Sequence, residues 1–451
     1  MNEPGDKLHL GLWMLTTGHH IAAWRHPDSR PEAILKIEFY RELAAIAEAG
    51  KFDMVFFEDT LAARERNGEV FGEVSIYSLD PVVSIAALAL ATRNIGLAAS
   101  YSTTYHEPFV LASKFATIDH LSRGRAAWNL VTSGPAAARN FGSAEHPDKE
   151  TRYARAHDVV TICKALWDGW GEQAVGFDQA GGALYDAAGV RTADFVGRWD
   201  RVRGPLAIPR PPQGYPVFIQ AGMSEWGMDF AASFAEVIFC AARTLEDAQR
   251  FRSAMRERAR GHGRSPDQMK ILPGYFPMIG ATEKEALEKE AYFRELTHPA
   301  IQMGLLSERF NLDLSRYPMD KPFPMDDILP RLEERPNIGG DRARFLADIG
   351  ESETIGDYCR KMAARTYSSH QYKAGSPDQI ADHMGQWLRE GGCDGFILMP
   401  AQAPGELKLF VDHVVPALRR RGLFRDDYEG STLRDHLGLE RPSRPAFGGA
   451  P

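Results

Sequence analysis

The chain has 451 residues, 44% of them hydrophobic and 25% charged, which excludes an intrinsically disordered polymer and leaves ample material for a large core. Lys plus Arg total 53 against 61 for Asp plus Glu, a formal charge of −8 that offers no field for nucleic acid or an anionic membrane. Four scattered cysteines (Cys163, Cys240, Cys359, Cys393) form no CxxC pair, so neither a disulfide framework nor a cysteine-rich zinc site is expected.

The first seven residues are polar and lack the basic, apolar, small-residue order of a secretory leader. No apolar run approaches the roughly 18 residues of a membrane span. The expectation is a cytoplasmic protein.

Short apolar runs alternate with helical stretches. Residues 8–15 read as a strand, 32–49 as a helix stopped by Gly50, and 52–57 as a strand ending at Glu58 and Asp59. Asp80-Pro81 is a helix-start pair, so 81–91 reads as a helix. Then come a strand at 94–101, a helix at 108–121, a strand at 125–131 and a long helix at 152–167. The alternation resumes with 217–220 (strand), 224–234 (helix), 237–240 (strand), 245–260 (helix) and 271–276 (strand). The last strand is 395–399 and the last helix 406–421. Repeated strand–helix units predict a parallel sheet, and about eight of them favour a closed α/β TIM barrel, (β/α)8, over an open sheet.

Two segments break the rhythm. Residues 171–214 are rich in Gly, Asp and Pro, and 297–355 carry six prolines, from Pro299 to Pro336. Both read as insertions, the second as a partial lid, within a single barrel domain over 8–422 that is followed by an extension over 423–451.

No GxGxxG follows a strand, and neither GxxxxGK[ST] nor HExxH occurs, so a dinucleotide fold, a P-loop and a metalloprotease site are unsupported and no metal site is expected. The run from Gly222 to Gly227 misses a nucleophile elbow, because its second glycine is one residue late.

In a parallel barrel the site lies at the carboxyl ends of the strands. Those ends carry His19 and His20, then Glu58 and Asp59, then Thr103 and Thr104, then Ser133 just beyond Asn129, and finally Met223 and Ser224. Small hydroxyl residues without paired acids and bases suit a polar or phosphorylated cofactor. Ser224 follows a glycine and opens a helix, where a hydroxyl and free N–H groups can hold phosphate; the same position also suits a plain helix cap. Asp59 fits a loop cap or a ligand contact, and Tyr153 packing or binding. Trp13 and Phe56 fit the core or a ring pocket.

Several runs are specific enough to place the chain by likeness. Phe115-Ala116-Thr117-Ile118-Asp119-His120-Leu121-Ser122-Arg123-Gly124-Arg125 is followed by Trp128-Asn129-Leu130-Val131-Thr132-Ser133. Ala138-Arg139-Asn140-Phe141-Gly142, Arg152-Tyr153-Ala154-Arg155-Ala156, Gln220-Ala221-Gly222-Met223-Ser224 and Thr432-Leu433-Arg434-Asp435-His436 add to it. Together they resemble the bacterial-luciferase-like flavin-dependent monooxygenases, in the subgroup of nitrilotriacetate, dibenzothiophene-sulfone and pristinamycin-type enzymes, over about residues 8–440.

The resemblance implies a luciferase-like barrel that uses reduced FMN and dioxygen to oxygenate a small organic substrate. A separate NAD(P)H:flavin reductase would supply the FMN, and the chain would form a homodimer or homotetramer. It implies flavin contacts at Asp59, at Thr103 or Thr104, and at Asn129, Tyr153 and Ser224, with Ser133 and Met223 beside them and Trp13 and Phe56 as walls. Ser224 and Tyr153 would serve the phosphate. His19 is the expected catalytic histidine, and His20, Arg309 and His370 are the expected substrate contacts. Sulfone-cleaving relatives carry a histidine where Arg309 stands, so the resemblance weakens on sulfone cleavage. Two alternatives remain open: a deazaflavin-dependent oxidoreductase on the same barrel, and a flavin-binding barrel without turnover.

Overall fold

The computed structural model describes residues 7–63, 65–66, 69–70, 78–142, 145–334, 346, 349, 354–363 and 370–445. Its strands are short because each only has to cross one barrel wall. They are β1 (His9–Trp13), β2 (Met54–Phe57), β3 (Gly96–Ser102), β4 (Ala126–Val131), β5 (Val217–Gln220), β6 (Val237–Cys240) and β7 (Lys270–Ile279). β8 (Gln371–Gly375) and β9 (Gly395–Leu398) complete the sheet.

All pairings among these nine are parallel, and the order β6-β5-β4-β3-β2-β1-β9-β7 returns to β6, closing an eight-strand ring. Closure joins the chain's ends, His9 pairing with Gly395. β8 stands outside the ring and pairs with the second half of β7, from Tyr275 to Ile279. The ring is therefore the expected TIM barrel, with a ninth strand that the sequence reading passed over.

Helices cover the ring; those not taken up singly are α3 (Pro108–Ser122), α7 (Glu283–Leu296), α10 (Ile355–Ala363), α11 (Pro377–Arg389), α12 (Gly405–Leu409) and α13 (Val415–Arg420), and helix starts follow the residues. Asp80 caps α2 (Pro81–Ala89) by accepting the Val83 amide, and Asp148 caps α4 (Lys149–Trp167) by accepting the Thr151 amide. Ser224 caps α5 (Glu225–Phe234) and Thr244 caps α6 (Leu245–Gly261). The predicted helix over 32–49 becomes a short 3₁₀ turn at Pro31–Ala33 and α1 (Ile37–Ala49). The last predicted helix is split in three. Gly405–Leu409 passes through a π turn at Phe410–Val414 into Val415–Arg420, because Pro416 has no N–H to continue the ladder. Segment 297–355 is not a bare loop: it holds α8 (Pro299–Phe310) and α9 (Met325–Glu334), which share a small core of their own with Phe323 and Tyr358.

Strand side chains alternate, so each strand feeds two cores. Leu10, Val55, Phe57, Leu97, Tyr101 and Trp128 point outward under the helices. Met54, Phe56, Ala98, Ala127, Val217, Ile219, Val237, Phe239, Leu272 and Ile397 fill the ring. The lower interior is plugged by Leu433 and Leu437 of a C-terminal helix, α14 (Leu433–Leu437), and by Leu439. The upper interior is left to the site.

Candidate functional site

Parity along the strands builds the upper layer. Trp13 on β1 registers with Phe56 on β2, and Ser100 on β3 with Asn129 on β4. Both pairs lie two residues above interior positions, so they face the mouth at the strands' carboxyl ends. There they line a cavity of about 770 Å³ together with Phe239, Ala221, His19, His20, Asp59 and Ser133.

The aromatic wall is ordered. The Trp13 ring stands edge-on to Phe239 at 5.3 Å, to Phe56 at 6.1 Å and to His19 at 5.2 Å. Edge-to-face rings at these spacings hold one another in place.

The loop carrying His19 is stitched down by backbone bonds, with the His19 amide donating to the Pro400 carbonyl at 2.8 Å and the His20 amide to Ala401 at 3.0 Å. Gly18 permits this approach: its φ is +99°, and a methyl group there would overlap the backbone of Ala401 and Gln402. Both His19 ring nitrogens are buried with no hydrogen-bond partner among the described residues. Burial pushes the imidazole down to about 3, the nearby Pro400 carbonyl pulling the other way and His370 adding to the depression. His19 is therefore a neutral imidazole, free to donate or accept once a ligand is present.

His20 has a different job. Its Nδ1 accepts the Ala22 amide at 3.1 Å, its ring packs on Phe293 at 4.8 Å, and burial lowers its pKa to about 4. It holds the loop as well as lining the cavity.

Asn129 Nδ2 donates to Ser100 Oγ at 2.8 Å, which leaves Oδ1 buried and without a partner among the described residues. Asp59 Oδ2 is likewise buried and has no hydrogen-bond partner among the described residues. Burial, and then the charges of Asp80 and Glu58, raise the Asp59 carboxyl to about 7, with the Thr60 amide opposing. Buried polar atoms left open in this way cost stability unless something binds them.

Of the expected contacts, Trp13, Phe56, Asp59, Asn129, Ser133, His19 and His20 come together around the cavity. Thr103 and Thr104 do not. Thr103 Oγ1 donates to the Val131 carbonyl at 3.3 Å and Thr104 Oγ1 to the Thr132 carbonyl at 3.0 Å, so both tie β3 to β4. Ser133, at φ +55°, bonds Ser102 Oγ at 2.8 Å.

Tyr153, Met223 and Ser224 gather one step further out, beyond Ala221. Ser224 Oγ accepts the Gly227 amide at 3.2 Å. A methyl group at Gly227 would lie 3.0 Å from the Tyr153 hydroxyl and 3.0 Å from Gly222 Cα, so these glycines bring backbone, tyrosine and helix start into one cradle. Met223 Sδ lies 3.1 Å from the Ala241 amide.

Arg309 lies in α8, its side chain outside the described residues; Leu305 of the same helix reaches the cavity. His370 is not itself among the lining residues but packs against two of them, Trp13 and Phe239. The sequence reading missed Ser100 and Phe239. Ser100 could have been found by strand parity with Asn129, whereas Phe239 had no signal beyond an apolar run.

The residues present fit a flavin phosphate. The cavity has the volume of a cofactor site, its open polar atoms ring an aromatic wall, and a glycine cradle at a capped helix start sits at its edge. Fold and site define a (β/α)8 barrel enzyme with its pocket at the carboxyl mouth of the strands. The chain belongs to the luciferase-like monooxygenase family, which it matches over residues 16–395, and is a flavin-dependent monooxygenase.

It is 40% identical over 446 residues to the N-acetyl-S-(2-succino)cysteine monooxygenase of Bacillus subtilis (strain 168), covering 98% of this chain and 99% of that one. It is 39% identical over 432 residues to the dibenzothiophene-sulfone monooxygenase of Rhodococcus erythropolis, covering 94% of each. Among solved structures, riboflavin lyase with modified FMN and its substrate riboflavin superposes with a TM-score of 0.84 at 30% identity, covering 96% of both chains. The family and subgroup expected from the motifs are those the relatives occupy. No helix among the described residues is long and apolar enough to cross a membrane.

Proposed function

We propose that the chain is the oxygenating component of a two-component monooxygenase, receiving reduced FMN from a separate NAD(P)H:flavin reductase. Its substrate is a small organic molecule carrying sulfur, nitrogen or halogen. The observation that carries this reading is the set of unpartnered buried polar atoms on His19, Asp59 and Asn129 beside the wall of Trp13, Phe56 and Phe239.

Ser224, Tyr153 and the first amides of α5 would hold the FMN phosphate, and Asn129 and Asp59 the ring or ribityl chain. Bound reduced FMN supplies the electrons that activate dioxygen. The aromatic wall keeps water from the reacting centre. His19, neutral and beside the Trp13 wall, would donate or accept a proton at a ring nitrogen. The relatives named for a thioether and a sulfone support a sulfur-bearing substrate.

The test is turnover with FMN, NADH and any flavin reductase across thioethers, sulfones, amines and aminopolycarboxylates under labelled dioxygen. Product carrying one labelled oxygen is expected. Turnover without oxygen uptake, or with a deazaflavin alone, would overturn the proposal. In the same assay His19→Ala is expected to release more peroxide per product, and unchanged coupling would remove His19 from the reacting centre.

A further inference from the structure

Residue 370 reaches the barrel mouth by construction. β8 begins at Gln371, which pairs with Tyr275 of β7, the residue at which β7 also pairs with Leu398, the last residue of β9. His370 therefore enters at the level where the ring ends. Gly274 leaves the space for it: a methyl group there would overlap His370 Nδ1 and sit 3.0 Å from Met399 Sδ.

The imidazole then packs face-on against Phe239 at 5.5 Å and 25°, and edge-on to Trp13 at 6.2 Å and 88°. Those two rings line the cavity, and His370, itself outside the lining, packs against both. Its Nδ1 is buried with no hydrogen-bond partner among the described residues, so packing holds the ring there. Close-packed side chains pass a change in volume on to their neighbours.

We propose that His370 is a positioning residue that sets how far Trp13 and Phe239 lean into the cavity, and so the upper size of substrate accepted, with Gly274 the residue that admits it. The inference rests on the monooxygenase reading above. It makes two opposed demands on adjacent residues, neither of which lines the cavity. His370→Ala removes volume behind the wall and deepens the pocket. Gly274→Ala pushes the imidazole forward and makes the pocket shallower.

The experiment measures kcat/KM with reductase-supplied FMN over thioethers graded from dimethyl sulfide to diphenyl sulfide. A volume change of one or two carbons in an apolar pocket shifts discrimination by about 10–200-fold. The ratio for the largest over the smallest thioether is expected to rise about tenfold or more in His370→Ala and to fall in Gly274→Ala, with FMN affinity within about twofold of the parent. His370→Phe, which keeps a ring and loses the nitrogens, is expected to retain the parent profile.

Near-UV circular dichroism gives a readout independent of turnover: His370→Ala should lose the tryptophan signal that Trp13→Phe also loses. Unchanged profiles in both alanine variants, a His370→Phe profile as altered as that of His370→Ala, or an unchanged tryptophan signal would each overturn the proposal. If the parent oxygenates no thioether while the tryptophan signal responds, the substrate class fails and the positioning role of His370 stands. If neither responds, the positioning role fails as well.

Discussion

Three imidazoles and one carboxyl in and just outside the pocket carry opposite signs of pH dependence. Burial lowers His19 to about 3, and His20 and His370 to about 4, so the unfolded chain takes up these protons first as pH falls. The stability tied to them is whole above roughly 6.5, the ordinary histidine value, and drains as pH drops toward their folded values. Asp59 runs the other way. Its folded pKa of about 7 exceeds that of a free carboxyl, so its contribution is whole at acid pH and is lost as pH rises through neutrality. Urea denaturation at about pH 5 and about pH 8 should therefore show His370→Gln losing less stability at the acid end than the parent, and Asp59→Asn gaining on the parent at the alkaline end. Equal pH slopes in parent and variants would refute the assignment. Trp13, Phe56 and Asn129 were legible only through the family resemblance; the residues alone left Trp13 and Phe56 between core and pocket, and it is strand register that fixes which way they face. Thr103 and Thr104 were harder to place, because a hydroxyl just past a strand end can turn inward or back to the neighbouring strand, and their protons go to the Val131 and Thr132 carbonyls.

Helix starts do two jobs here, and substitutions can separate them. Thr244 caps α6 by accepting the Asp247 amide at 3.1 Å and lies apart from the cavity. Ser224 caps α5 and also faces the cradle formed with Tyr153 and Gly227. Losing a cap to alanine costs about 1 kcal/mol of stability, while glycine costs only a few tenths. Losing a hydrogen bond to a charged phosphate costs about 1.5–3 kcal/mol of binding. Ser224→Gly should hence fold nearly as well as the parent yet bind FMN roughly tenfold to a hundredfold more weakly in a fluorescence titration. Thr244→Ala should lose stability and keep its flavin. If Ser224→Gly keeps parental affinity, the phosphate is held elsewhere. Capping signals were plain in the sequence because Asp80-Pro81 and the Gly-x-Ser run act within one turn. The split of the last helix was not foreseen, since a proline in an apolar stretch does not show whether the ladder will break or widen into a π turn.

The barrel is open at one end only because the chain's own tail closes the other. Arg425 pairs with Asp53, which also accepts the Leu10 amide at 2.7 Å. Burial alone would raise the Asp53 pKa, but Arg425 and His9 more than offset it and hold the carboxyl ionised. Arg434, 1% exposed, bonds Glu236 and the Tyr215 carbonyl, and Leu433 packs where Gly96 has no side chain. Read along the sequence, 423–451 looked like an extension, because the surface it buries against is assembled from strands hundreds of residues earlier and leaves no local period. In space its described part, 423–445, is the floor on which the interior layers rest. Leu433→Ala should destabilise the protein by about 2–5 kcal/mol, the cost of a buried leucine plus the cavity it leaves. Arg434→Met should cost about as much, because it removes the cation that hydrogen-bonds the largely buried Glu236 carboxylate. The upper layer is built from strand residues that keep their own pairing, so FMN affinity in the folded fraction of Leu433→Ala should stay near that of the parent. A variant that keeps full stability would show the tail to be ornamental. One that folds normally but loses FMN would show that the floor positions the site, a coupling that the separation of the lower and upper interior layers argues against.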